Sequence, residues 1–224
     1  MEILKQQKAF TLIELIVVMS IIVILMSIII PGTQKVLVNA RKTKAQTCMR
    51  QIAEAYCRYY QTHGFIPEAN NIVDLIEKFA EEGELNSTHL FVFPGDTQAP
   101  KVLREQIWPK DGDNPAWEIG KPLSVELVSK IQKEVNPSTI PVVFSRGLDY
   151  SNGFWNPNNG VWKNEGGFIG FLDGKVRWYK NLSGDDGIGV LSLEATGTHS
   201  AASVISAIGG EILEGIVPDS GPLL

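Results

Sequence analysis

Apolar residues are concentrated in one stretch near the N-terminus, from Phe10 to Ile30. Of these 21 residues, 17 are Phe, Leu, Ile, Val or Met, and the other four are Thr11, Glu14, Ser20 and Ser27. A 21-residue helix is about 31 Å long, which matches the hydrocarbon core of a bilayer. The pattern predicts one transmembrane helix over residues 10–30 and excludes a multi-span membrane protein.

The helical pattern continues past this stretch and becomes amphipathic. Residues 33–60 contain neither proline nor glycine. Apolar positions recur there at helical spacing: Cys48, Ile52, Ala55 and Tyr59. We expect a continuation over residues 31–62 that stops at Gly64. A break is expected at Pro31 and Gly32, because proline lacks the backbone donor that a helix interior needs.

Residues 63–208 are predicted to form a head of short helices and strands. An apolar stripe predicts a helix over residues 71–82 that Gly83 ends. Its candidate caps are Asn70 and Asn71. A second helix is expected to begin at the cap Ser124 and to be closed by Pro137.

Strand signals dominate the second half of the head. Residues 140–145 form a β-like run, and residues 168–172 and 175–179 flank Asp173-Gly174. An Asp-Gly pair between two apolar runs is a strong hairpin signal, so Asp173 and Gly174 are the predicted hairpin turn. A further short strand is expected over residues 190–193.

The C-terminal end is expected to contribute little to the core. Residues 200–208 are predicted to form a last small helix, and residues 209–224 a loosely ordered tail. The predicted fold class is therefore α+β, with one long N-terminal helix packed on a small antiparallel sheet and extra short helices.

Charge and cysteine content narrow the function classes. The chain has 224 residues and a formal net charge of −5. No dense lysine or arginine cluster stands out, so nucleic acid is not an expected partner. Cys48 and Cys57 are nine residues apart, about 13 Å along a helix and half a turn out of phase, so they cannot bridge each other on a continuous helix. Free thiols are favoured, and a disulfide to another subunit is the alternative.

Few residues point to catalysis. The three histidines are far apart in sequence and none has a metal-type partner three or four residues away: His63, His89 and His199. No phosphate loop, nucleophile elbow or pair of catalytic carboxylates is identifiable, so an enzyme is not expected.

Two loops have weaker functional interpretations. Asp185 and Asp186 lie in an acidic, glycine-rich loop of the kind that binds calcium, and Asp111 and Asp113 suggest the same with less support. A solvated turn is favoured in both, and no cofactor is expected. An aromatic, amide-rich loop suggests stacking on sugars or partner subunits, although its asparagines favour ordinary turns: Trp155, Asn156, Asn158, Asn159 and Trp162.

Glu14 does not fit a plain membrane anchor, because an ionised carboxylate is costly in hydrocarbon. Glu14 lies one helical turn after Phe10. If the chain began at Phe10, its free α-amine would lie next to the Glu14 carboxylate, and the two charges would neutralise each other within one chain or between neighbours. The spacing therefore predicts proteolysis before Phe10.

Residues 8–18, Lys-Ala-Phe-Thr-Leu-Ile-Glu-Leu-Ile-Val-Val, resemble the processing site of type IV prepilins and type II secretion pseudopilins. The resemblance implies a leader of residues 1–9, cleavage between Ala9 and Phe10, N-methylation of Phe10, and Glu14 as the assembly residue. The family usually has glycine where this chain has Ala9. Implied partners are the prepilin peptidase and N-methyltransferase, other pilin-like subunits, an inner-membrane assembly platform and the lipid bilayer.

The resemblance implies a structural subunit of a type II secretion pseudopilus or a type IV pilus-like filament, with residues 10–30 in the filament core. Lys5 and Lys8 precede the apolar stretch and favour a cytoplasmic N-terminus, with the head outside the bacterial inner membrane. The alternative is a membrane-anchored recognition module that binds carbohydrate or another surface ligand and never polymerises.

A second segment resembles the C-terminal region of a bacterial pseudopilin-like family named for a histidine followed nine residues later by Asp-Gly. The matching residues are Arg146-Gly147-Leu148 and then residues 166–176, which contain Asp173 and Gly174. Lys163 occupies the histidine position. The resemblance therefore implies the hairpin and no role for a histidine.

Overall fold

The protein is described by a computed structural model that covers residues 11–109, 115–131, 136–182, 191–193, 197–199, 204–206 and 209–218. The side chains of residues 28–32, 192–193 and 197–199 are outside this description. The chain divides into two compact units, Met1–Lys42 and Thr43–Leu224. The helices are α1 Leu12–His63 and α2 Ile72–Glu81, with 3-10 turns at Thr88–Phe91 and Lys163–Glu165. The strands are β1 Val125–Ser129, β2 Pro141–Ser145, β3 Leu148–Asp149, β4 Phe154–Trp155, β5 Gly167–Phe171, β6 Val176–Tyr179, β7 Leu191–Leu193, β8 Gly197–His199 and β9 Glu211–Leu213.

Helix α1 is one element of 52 residues. Its backbone is helical through Pro31 and Gly32, so the predicted break at these residues is wrong. Proline removes a single N–H donor, and the hydrogen bonds of the neighbouring turns are enough to keep the backbone helical there. The helix ends at His63, where Gly64 adopts a φ of +78° and confirms the predicted stop.

No helix within the described residues is both long enough and apolar enough to cross a membrane.

Helix α2 confirms the predicted short helix of the head. Asn71 is the N-cap, and its side chain accepts a 3.0 Å hydrogen bond from the Asp74 backbone N–H. Its buried residues are Ala80 and the four residues of the predicted apolar stripe, which are Ile72, Leu75, Ile76 and Phe79. Gly83, with a φ of +79°, follows its C-terminus.

The main sheet has five antiparallel strands in the order β6-β5-β2-β1-β9. The predicted hairpin is present as β5 and β6, with Asp173 and Gly174 in the connecting turn. The short pairs β3–β4 and β7–β8 lie outside this sheet. Of the predicted last helix, residues 204–206 are helical and the rest lies outside the described residues.

The helix predicted to begin at Ser124 is wrong, because residues 125–129 form strand β1. All five residues of β1 are buried, since the strand lies in the interior of the sheet between β2 and β9. A strand buried on both faces need not alternate between apolar and polar residues, and β1 reads Val-Glu-Leu-Val-Ser, so its apolar residues Leu127 and Val128 also fit the spacing of a helix. Ser124 donates to Asp96 instead of capping a helix.

The prediction of a loose tail over residues 209–224 is also wrong for its described part. Residues Glu211–Leu213 form β9, an edge strand paired with β1 in the register Leu127↔Leu213. The side chain of Leu213 is buried, and so is that of Val217. This short segment is held by pairing with β1, a strand remote in the sequence, and no local sequence pattern predicts such a pairing.

The second half of α1 packs on the sheet, as the predicted fold class requires. Its buried residues are Ala45, Cys48, Met49, Ile52, Ala53, Ala55, Tyr56 and Tyr59. The Tyr56 hydroxyl donates to the Val128 carbonyl over 2.8 Å. Gly170 permits a close approach, since an added Cβ would lie 3.3 Å from the Ala53 Cβ. Both cysteines are free, as predicted.

Candidate functional site

Thr11 and Glu14 cap the N-terminal end of α1 through reciprocal hydrogen bonds. The Thr11 backbone N–H donates to Glu14 Oε2 over 2.9 Å, and the Thr11 hydroxyl donates to the same oxygen over 2.8 Å. In return, the Glu14 backbone N–H donates to Thr11 Oγ1 over 3.3 Å. Since α1 begins at Leu12, Thr11 is the N-cap and Glu14 the third helical residue, which is the arrangement of a capping box.

This capping box explains what a carboxylate does at an apolar helix start. The first N–H groups of a helix have no partner inside it, and the helix dipole adds partial positive charge there. The Thr11 hydroxyl satisfies one N–H group, and Glu14 places a negative charge beside the others. Sequence reasoning found Glu14 and missed Thr11, although Thr-x-x-Glu before an apolar run is the signature of this motif.

The predicted cleavage point between Ala9 and Phe10 lies outside the described residues. A chain that began at Phe10 would carry its α-amine two residues before the first residue of α1. An amine there adds positive charge to the helix end, which the Glu14 carboxylate offsets. The capping geometry therefore places Glu14 where the predicted processing would create a new cation.

The apolar side chains of the first unit are exposed. Every described side chain over residues 11–27 is exposed. The hydroxyls of Ser20 and Ser27 donate to the backbone carbonyls of Val17 and Ile24, so these polar groups are satisfied within the helix. Apolar surface of this extent marks a site of association with lipid or protein.

The Asp173-Gly174 turn lies against α1 within the second unit. Gly174 has a φ of +82°, and a Cβ added to it would lie 3.2 Å from Glu54 Cγ. The Asp173 carboxylate accepts from the Lys175 backbone N–H over 3.0 Å and pairs with the Lys175 ammonium over 2.6 Å. Lys163, at the position of the missing histidine, is exposed in a 3-10 turn with a φ of +55°. The second motif is thus a turn that contacts a charged residue of α1.

Arg146, the first residue of the second motif, has a structural role that sequence reasoning missed. Its buried guanidinium pairs with Asp96 over 2.9 Å and donates to the carbonyls of Pro122, Leu123 and Asn159. Asp96 also accepts from the Ser124 hydroxyl over 2.6 Å. A buried charge that is paired and fully hydrogen-bonded can hold loops in place. Sequence reasoning missed this role because a single arginine in a sequence does not show which residue is its partner.

A second buried carboxylate belongs to Glu126 on β1. Burial raises the pKa of Glu126, against the opposing effect of hydrogen bonds from the Tyr150 hydroxyl and the Gly147 N–H. The negative charge of Glu214, the residue after β9, raises the same pKa further.

The aromatic loop is built into the head. Trp155 is buried, and its indole N–H donates to the Ser145 carbonyl over 3.3 Å. Trp162 packs edge-on against Phe168 and Trp178. The Asn156 side chain accepts from the backbone N–H groups of its loop neighbours, Asn158 and Asn159. These contacts are those of an ordinary turn, and they leave the Trp155 ring unavailable for stacking on a sugar.

The candidate ion ligands Asp111, Asp113, Asp185 and Asp186 lie outside the described residues. Among the residues that are described, no group of three or more His, Cys, Asp or Glu could hold a metal ion. His63 stacks on Tyr59 with ring centroids 4.1 Å apart. His89 lines a shallow polar cleft with Glu105 and Gln106. The side chain of His199 lies outside the described residues.

Comparisons with known proteins bear on the N-terminal segment. The prokaryotic N-terminal methylation motif matches residues 4–30. The type IV major pilin protein PilE1 of Neisseria gonorrhoeae is 27% identical over 129 residues, which cover 53% of this chain and 78% of that protein. No solved structure matches the chain. These findings confirm the resemblance to type IV prepilins and support a pilin-like structural subunit.

Proposed function

We propose that this chain is a subunit of a helical filament, either a type IV pilus or a type II secretion pseudopilus. Its leader of residues 1–9 is removed before Phe10, and the new α-amine is N-methylated. The chain stays in the inner membrane until the assembly platform incorporates it into the filament next to a neighbouring subunit. The methylation motif over residues 4–30 and the likeness to a major pilin support this proposal.

The capping carboxylate of Glu14 at the head of an exposed apolar helix is the observation that carries the proposal. After cleavage, the helix start would carry a full positive charge in apolar surroundings, where an unpaired charge is costly. Both hydrogen bonds from Thr11 go to Oε2 of Glu14. The other carboxylate oxygen of Glu14, Oε1, therefore accepts a hydrogen bond from the Phe10 amine of a neighbouring copy.

This pairing sets the register between copies. Phe10 of one copy lies level with Glu14 of the next, so neighbouring helices are displaced by four residues, about 6 Å along the axis. Lipid already shields apolar surface, so close packing between helices and this polar pair hold the bundle. The exposed apolar side chains of residues 11–27 exchange lipid contacts for contacts with one another.

Three variants separate the charge of Glu14 from its role as a cap. Glu14→Gln keeps an acceptor oxygen at the third helical position, where glutamine also forms capping boxes, but it lacks the charge. Glu14→Ala lacks both. Thr11→Ala is the matched control, because it removes the other half of the cap and leaves the carboxylate.

We expect Glu14→Gln and Glu14→Ala each to lower the amount of sheared filament by at least about tenfold, whereas Thr11→Ala retains most of it. The mass of the N-terminal peptide shows whether each chain begins with N-methyl-Phe10, and membrane fractionation shows that insertion is equal. A wild-type chain with an intact Met1, or normal filaments from Glu14→Ala, would overturn the proposal in favour of a passive anchor. Surface filaments lost on deletion identify a pilus, and lost protein secretion identifies a pseudopilus.

A further inference from the structure

The two edge strands of the main sheet, β6 and β9, are paired on one side only. In the order β6-β5-β2-β1-β9, β6 pairs with β5 and β9 pairs with β1. Within the part of the chain that the structure describes, no strand pairs with the outer side of either one. The backbone N–H and C=O groups of a strand alternate between its two sides, so each outer side presents groups that can pair with a further strand.

The two edges carry opposite charge. Arg177 on β6 and Lys180 immediately after this strand are exposed and basic. Glu211 on β9 and Glu214 immediately after this strand are exposed and acidic. Neither strand contains a residue of the opposite sign. The edge at β6 is therefore positive, and the edge at β9 is negative.

The opposite charges next to these edges are engaged within the head. Asp173, which precedes β6, pairs with Lys175 over 2.6 Å. Lys130, which follows β1, is close enough to Glu211 for the two charges to interact, and it pairs with Glu68 over 2.6 Å. Local counter-charges therefore do not remove the contrast between the two edges.

Charged side chains on an edge strand usually prevent pairing with another chain. In this sheet they prevent it only between like edges, because two β6 edges are both positive and two β9 edges are both negative. A β6 edge that faces a β9 edge brings opposite charges together. Pairing of like edges closes a dimer, whereas pairing of unlike edges leaves a free edge at each end and continues into an open helical array. The charges thus favour the contact that a filament requires.

We propose that β9 of one copy pairs with β6 of a neighbouring copy, so that the sheets of adjacent heads are joined. This inference rests on the filament proposed above, and the partner is a second copy of this chain. Adjacent strands of a sheet are rotated by about 20–25° relative to one another. Copies joined in this way are therefore related by a rotation as well as a shift, as in a helical filament.

The topology fixes the direction of the proposed pairing. All neighbouring strands of the sheet are antiparallel, and four such steps lead from β6 to β9. The two edge strands therefore run in the same direction. A copy that continues the sheet keeps this direction, so the junction between copies is parallel.

Cross-linking tests the pairing and its direction. Arg177 and Glu211 both lie near the first residue of their strands, so a parallel junction brings these positions together. A chain with Arg177→Cys and Glu211→Cys, in a Cys48→Ala and Cys57→Ser background, is expected to give a ladder of dimers, trimers and larger products when a short bis-maleimide is added to purified filaments. Within one chain the two positions are four strands apart, about 19 Å, so the reagent does not join them there.

Two control chains complete this test. A chain with Arg177→Cys as its single cysteine can be joined only through like edges, and no dimer is expected. A chain with Lys180→Cys and Glu211→Cys places its cysteines about 10 Å further apart along a parallel junction, so little product is expected. Dimers from the single-cysteine chain, or more product from the second control than from the first pair, would overturn the proposed pairing.

Charge reversal gives an independent readout. Arg177→Glu with Lys180→Glu makes the β6 edge negative and is expected to lower filament yield by at least about tenfold, because like charges then face each other at every junction. Glu211→Lys with Glu214→Lys is expected to have the same effect from the other side. The chain with all four substitutions has opposite charges again and is expected to assemble to within about twofold of wild type. An unchanged thermal unfolding midpoint of the head, measured in detergent, shows that each variant is folded.

The outcomes separate this inference from the proposed function. Wild-type filaments with N-methyl-Phe10 but no ladder from Arg177→Cys with Glu211→Cys overturn the edge pairing and leave the proposed function standing. The same holds if the chain with all four substitutions assembles no better than the two double variants. A wild-type chain that is neither processed nor assembled overturns both.

Discussion

The two compact units of this chain keep their apolar residues in opposite places. In the first unit, Met1–Lys42, the described side chains of residues 11–27 are all exposed. In the second unit, Thr43–Leu224, the apolar face of α1 is buried together with α2 and the five-stranded sheet. The second unit therefore buries a hydrophobic core within one chain, whereas lipid or other subunits would have to cover the apolar side chains of the first.

The two units treat charge in opposite ways as well. In the second unit, the buried guanidinium of Arg146 is matched by Asp96 and by three backbone carbonyls. In the first, the Glu14 carboxylate is exposed, and its described partner is the N-cap Thr11. Changes to buried charge in the head should therefore alter stability, and changes to charge at the helix start should alter association.

The sharpest test of this contrast is Asp96→Ala. It leaves the Arg146 guanidinium buried without its counter-charge, and breaking a buried pair in this way costs about 3–5 kcal/mol of unfolding free energy. Urea denaturation of the detergent-solubilised chain measures it. Glu68→Ala is the control, because it removes an exposed pair with Lys130 and should cost less than about 1 kcal/mol. Equal losses of unfolding free energy in the two variants, or an effect of Asp96→Ala on the proposed N-methylation of Phe10, would contradict the contrast between the two units.

A smaller effect is expected from Gly174→Ala. The new side chain would be strained by the φ of +82° and would crowd Glu54 Cγ at 3.2 Å. Gly64→Ala is matched to it, since Gly64 has a φ of +78° and open space around its Cβ position. We expect Gly64→Ala to cost about 1 kcal/mol from backbone strain and Gly174→Ala about 1 kcal/mol more. Equal losses of unfolding free energy in the two variants would show that the turn does not pack closely against α1.

The smallest of the three effects is expected from Glu126→Gln, read as a function of pH. Because burial raises the pKa of Glu126 in the folded protein, its protonated form stabilises the fold below the ordinary pKa of 4.5, and this contribution is lost as the pH rises through the raised value. Glutamine does not titrate and keeps an acceptor for Tyr150. The stability of the variant relative to wild type should therefore increase between pH 4 and pH 7 in thermal denaturation. If the stabilities of the variant and the wild type changed with pH in parallel, ionisation of Glu126 would not destabilise the folded protein.

Local signals were sufficient for the elements that begin and end on their own residues. Asn71 and Gly83 mark the two ends of α2, and Asp173-Gly174 marks the β5–β6 hairpin. Strand β1 was missed because five consecutive buried residues have no period, and strand β9 because its partner lies more than 80 residues earlier in the chain. Pro31 was over-interpreted, since a single missing donor did not end a 52-residue helix.

The residues of the candidate site also fall into those that the sequence reveals and those that only the fold brings together. Glu14 was found because a lone carboxylate in an apolar stretch is visible in sequence, and its cap Thr11 was visible there too. The contact of Gly174 with Glu54 joins residues 120 positions apart, and no spacing rule connects them. The same holds for Arg146 and Asp96, which lie 50 residues apart.

By itself, the amino-acid sequence determined the character of the first unit, because a continuous apolar run, the lysines that precede it and one carboxylate within it are all visible as local patterns. Only the tertiary structure decided which charged groups of the head pair with one another. A buried charge must find its partner wherever the fold brings one, as Arg146 does with Asp96 across 50 residues. The exposed pair of Arg58 and Glu84 is likewise formed by the fold, since 26 residues separate the two side chains in the sequence.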